Sequence, residues 1–100
     1  MPQRTLPKFR PFPSDLPMEE LAARQRRQSH AEWGLAVAAL GGALPTIHVL
    51  EELQRYIDGD LSLAELARLP NAYPADKPVA EAVVRRHQLA EFQVPDANAA

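Results

Sequence analysis

Three histidines, a run of carboxylates and one arginine cluster are the side chains here with chemistry to offer. A zinc or acid–base site needs them to converge, and the spacing keeps them apart. His30, His48 and His87 fall in three different helical stretches, no HExxH-type pair occurs, and no cysteine is present to complete a metal site. The lack of cysteine also removes disulfides and thiol catalysis. Glu51, Glu52, Asp58, Asp60 and Glu65 form an acidic stretch that does not match a calcium loop, and Gly59 inside it fits a helix stop. No nucleophile elbow, phosphate loop or serine–base constellation appears. The histidines therefore read as surface or interface residues, the carboxylates as a solvated face, and the chain as a non-enzyme with no cofactor and no metal.

The cluster "RQRR" at 24 to 27 could contact phosphates. Glu19, Glu20 and Glu32 accompany it on the same stretch, and no aromatic residue interleaves it. A DNA-binding or transcription-regulating module is thus the second function class, with nucleic acid not the expected partner. The net charge of −2 gives no overall pull toward polyanions.

These groups must be positioned by helices. At 100 residues and 46% hydrophobic, the chain has the size and composition of one small domain. Residues 1–13 carry four prolines with Arg4, Lys8 and Arg10 and no acid, which predicts an extended basic arm able to lie across an acidic partner surface. A long helix follows, capped by Ser14 or Asp15, with Pro17 in its first turn. Its second half, with Trp33, Val37 and Leu40, is apolar nearly all round, as expected for a segment buried between partners. The second helix, capped by Thr46 and ended by Gly59, carries Ile47, Leu50, Leu53 and Ile57 on one stripe. Ser62 and Glu65 match a capping box for a short third helix stopping at Pro70, and residues 79–92 form a fourth before a frayed end. No alternating β-branched run marks a strand. The expected fold is all-α: three to four helices in a small assembly, with residues 1–13 an extended Pro-rich arm, 14–69 a helical domain, and 70–100 a linker, a helix and a frayed C-terminus. No signal-type or membrane-spanning run is present, so a cytoplasmic location is expected.

From Arg24 to Leu69 the chain resembles the VbhA-type antitoxins that accompany Fic-domain toxins. Those are small helical proteins in which a [Ser/Thr]-x-x-x-Glu-[Gly/Asn] helix is followed by a second helix ending like Tyr-x-x-Gly-Glu-Leu. Here "RYIDGDLSLAEL" is similar to that ending, at the matching distance after Gly42. The inhibitory motif departs from the pattern. Gly42 fits its last position, while Val37 stands for Ser/Thr and Gly41 for the glutamate.

The resemblance implies a heterodimeric or higher complex with a Fic-domain toxin, seated beside its ATP site. The family's glutamate pairs with an arginine of the toxin's catalytic motif and blocks the γ-phosphate position that AMP transfer needs. Gly41 cannot do this, which implies relieved inhibition, either through an engineered Glu→Gly change or through natural loss in this homologue. The residues expected to bind the partner are Trp33, Leu40, Ile47, Leu50 and Ile57.

Overall fold

The computed structural model describes the backbone of residues 9–99 and the side chains through Glu91. Among the described residues there are four α-helices, α1 (Met18–Leu40), α2 (Ile47–Asp58), α3 (Leu63–Ala72) and α4 (Lys77–Ala99), with a 3₁₀ turn at Pro74–Asp76 before the last. No strand occurs among the described residues. The fold is a small all-α assembly.

Local chemistry explains most of the boundaries. Thr46 caps α2 by accepting the Val49 N–H at 2.9 Å, and Ser62 and Glu65 form the reciprocal capping box at the start of α3. The Ser62 N–H bonded to the Glu65 carboxylate holds that group below its ordinary range. Gly59 ends α2 in the left-handed conformation.

Four boundaries differ from the sequence reading. Neither Ser14 nor Asp15 caps α1: Pro17 is the cap residue, with no side-chain cap bond. Proline pushes Leu16 toward extended backbone, and Pro17 itself has ψ 152°, so the helix can start only at Met18. α3 passes through Pro70 and ends at Ala72, because one missing donor in a last turn is tolerated and Tyr73 N–H still reaches the Leu69 carbonyl at 3.0 Å. α4 starts at Lys77, two residues early, and its backbone stays helical to Ala99, past the expected fray.

One core joins all of these elements. Leu53, Tyr56 and Ile57 from α2, Leu66 from α3, and Val79 and Val83 from α4 close around the small inward residues of α1. Burying each large side chain is worth roughly 1.5–3 kcal/mol. The division expected at residue 70 is not a packing boundary, since α4 supplies Val79, Ala80 and Val83 to this interior. The arm also differs from expectation. Phe9 is buried in the core, the Arg10 N–H donates to Gln54 Oε1 at 2.8 Å, and the Arg10 guanidinium meets Asp58 at 3.0 Å. The acidic surface that residues 9–13 cross is therefore the chain's own; Arg4 and Lys8 lie outside the described residues.

Candidate functional site

The C-terminal half of α1 turns mostly small residues inward, together with Leu35, and Trp33, Val37 and Leu40 outward. Ala31, Gly34, Leu35 and Ala38 face the core, while Trp33, Val37 and Leu40, spaced i, i+4, i+7, share the opposite face. The reason is the close approach of α4. A Cβ on Gly34 would collide with the Val83 side chain and stand 3.0 Å from its backbone nitrogen. Only glycine admits that approach, and Trp33, Val37 and Leu40 are left to the outside. Leu40 is 89% exposed, and beyond the helix end Leu44 and Ile47 are 84% and 78% exposed.

The end of α1 separates the roles of the two glycines. Gly42 has φ +91°, and the Ala43 N–H to Ala38 carbonyl (3.0 Å) and Gly42 N–H to Ala39 carbonyl (2.9 Å) bonds form a Schellman motif around it. Gly41 has φ −88° and ψ 6°, ordinary right-handed backbone, and a Cβ there would meet only the Ala38 carbonyl oxygen at 3.6 Å. Gly42 stops the helix. Gly41 is free to carry a side chain, exposed and one turn beyond Val37.

Beside this surface, Trp33 and Val37 from α1 and Pro78, Glu81, Ala82 and Arg85 from α4 line a groove of about 210 Å³. The Arg86 guanidinium lies 5.5 Å from the Trp33 ring centroid, covering one part of the indole by a cation–π contact.

Compared with known protein families, curated proteins and solved structures, the chain matches none.

The structure divides the predicted partner-binding residues. Trp33, Leu40 and Ile47 stand on the surface just described, with Val37, Gly41 and Gly42 in the same stretch. Ile57 does not belong with them: it is 1% exposed inside the chain's own core, and Leu50 is half-buried against that core. From Leu50 onward the stripe on α2 serves this fold, because Leu50, Leu53 and Ile57 pack into the core shared by the helices. The Tyr-x-x-Gly-x-Leu ending is likewise architectural: Tyr56 and Leu61 are buried and Gly59 makes the helix stop. Leu44 is the surface residue the sequence reading passed over; its only signal was an apolar side chain in a turn.

The other chemical groups are largely engaged within the molecule. Arg24 pairs with Glu20 at 2.8 Å and Asp58 at 3.5 Å, while Arg27 donates to the Ile57 carbonyl at 2.9 Å. The Arg24 guanidinium holds the Glu20 carboxyl below the usual range. Most of the "RQRR" charge therefore ties α1 to the end of α2. Asp76, almost fully buried, accepts from the Thr46 hydroxyl at 2.9 Å and lies 3.1 Å from His48 Nδ1; the His48 ring stacks on Tyr73 with centroids 3.7 Å apart.

His30, expected at a surface or interface, is buried, with Nδ1 3.3 Å from the Tyr56 hydroxyl. That hydroxyl lies 2.7 Å from His87 Nδ1, and His87 Nε2 lies 3.2 Å from Glu91. Burial pushes the Tyr56 hydroxyl up to about 12. Burial, followed by His87, Arg86 and Arg26, holds the His30 imidazole below its usual value. Among the described residues no group of three or more His, Asp or Glu side chains is placed to hold a metal ion, and no described helix is long and apolar enough to cross a membrane.

Proposed function

We propose that this chain is a non-catalytic binding protein of the antitoxin type, which presents the end of α1 and the α1–α2 turn to a Fic-domain partner beside its ATP site. The observation that carries this reading is the outer face of α1, where Trp33, Val37 and Leu40 lie exposed next to an unobstructed Gly41 while a complete core lies behind them. An apolar face of this kind on a small monomer marks an interaction surface. The groove bounded by Trp33 and Pro78 offers a seat for one partner side chain, with Glu81 and Arg85 as its polar rim.

Binding and inhibition are separate properties of this surface. Leu40, Leu44 and Ile47 supply the apolar area, and position 41 sets what reaches the partner's nucleotide. With glycine there the complex forms and AMP transfer proceeds. The test is AMP transfer by a co-purified Fic enzyme with the wild-type chain and with Gly41→Glu, alongside calorimetry of the complex. Gly41→Glu lowers AMP transfer and keeps the complex, and Trp33→Ala weakens it. Equal activity with either residue at 41 sinks the role of that position, and loss of no affinity in Trp33→Ala and Leu40→Ala together sinks the surface.

A further inference from the structure

A second site, independent of the exposed end of α1, lies between the first half of α1 and α4. Ala23, Arg26, Arg27 and His30 face His87, Ala90 and Glu91 across a cleft of about 240 Å³. We propose that this cleft binds a phosphate group, held by Arg26 and by the Nε2 of a protonated His30.

The geometry argues for an anion. Two guanidiniums and two imidazoles line the space against one carboxylate, Glu91, which lies at the rim and is held by His87 Nε2. Arg27 is fixed by the Ile57 carbonyl and Glu20, while Arg26 makes no ion pair among the described residues. The Tyr56 hydroxyl has one proton to give, and its closer neighbour is His87 Nδ1 at 2.7 Å. The arrangement that satisfies the chain has Tyr56 donating to His87, His87 Nε2–H donating to Glu91, and His30 Nδ1–H donating to Tyr56. His30 Nε2 then has no protein partner among the described residues. Burial first, and then the charges of His87, Arg86 and Arg26, keep a proton off His30 against the pull of Glu91 alone, and an anion in the cleft adds the negative charge that lets Nε2 take a proton and donate.

Size selects among anions. The volume falls below the roughly 300–1,000 Å³ of pockets that enclose drug-sized ligands, so the cleft takes a phosphate group and leaves whatever carries it outside. A guanidinium paired bidentately takes up both oxygens of a carboxylate, whereas a tetrahedral oxyanion keeps further oxygens for the imidazole.

The test follows the His30 and His87 imidazole NMR signals of the full chain during titration with inorganic phosphate, sulfate and acetate at constant ionic strength. Phosphate and sulfate are expected to give saturable shifts and acetate none. Arg26→Ala, an exposed position whose folding is checked by circular dichroism, raises the dissociation constant about tenfold, the loss of one charge-assisted hydrogen bond. Arg68→Ala, exposed on α3 and outside the cleft, leaves it unchanged. Sulfate keeps its charge throughout, so weaker sulfate binding on going from about pH 6 to about pH 8 reports proton uptake by His30. O-phosphoserine and adenosine monophosphate identify the source: whichever binds tighter than free phosphate assigns the site to a protein-borne or a nucleotide phosphate. Shifts that never saturate, or that are identical in Arg26→Ala, overturn the proposal.

Discussion

Two neighbouring glycines at the end of α1 have different physical roles. Gly42 occupies the left-handed region, where an L side chain is strained, while Gly41 occupies ordinary backbone. Gly42→Ala is expected to cost about 1 kcal/mol. At Gly41 a glutamate restricts the unfolded chain, which stabilises, and sets a negative charge at a helix C-terminus, which opposes; the net is within about 0.5 kcal/mol. Urea denaturation of the two variants checks this, and an equal loss in both would mean that Gly41 also serves the turn. The sequence marked both positions but could not separate them, because φ at each depends on where the helix hydrogen bonds stop.

Among the elements, α1 shows how much one close contact controls. Gly34 lies against Val83, and everything on the opposite face follows from that approach. Gly34→Ala is expected to destabilise the protein by about 1–3 kcal/mol through overpacking, against the usual gain from alanine in a helix. Thermal unfolding decides the sign; a stabilised variant would show that α1 and α4 can part without cost. Caps and stops were readable because they are local: Thr46, Ser62 with Glu65, and Gly59 each act within four residues. The side of α1 that faces inward was not readable, since alanines, valine and tryptophan surround it and only α4 distinguishes them.

Across the whole molecule, α4 and the buried histidine link parts distant in sequence. Removal of residues 70–100 strips Val79, Ala80 and Val83 from the interior, so the 1–69 fragment is expected to lose cooperative unfolding; a sharp thermal transition in it would restore the boundary at 70. The Glu91–His87–Tyr56–His30 chain joins α4, α2 and α1, and it gives stability a pH dependence. Above the ordinary imidazole value of 6.5, His30 is neutral whether folded or unfolded. Below it the unfolded chain takes up a proton that the folded site resists, so stability falls as pH drops from 6.5 toward the lowered folded value. Urea midpoints of wild type and His30→Gln across that window measure it, and parallel curves would remove His30 as the cause.

The sequence by itself determined that the chain is helical, where two of its helices are capped and where α2 stops, because those signals are carried by hydrogen bonds and backbone preferences spanning a few residues. Tertiary structure alone decided that Ile57 belongs inside, that Leu40 and Ile47 remain outside, that the arm from Phe9 folds back on α2, and that His30 meets Tyr56. An apolar side chain has no local partner to declare its direction. It is placed by whichever helix arrives to cover it, and for α1 that helix is α4.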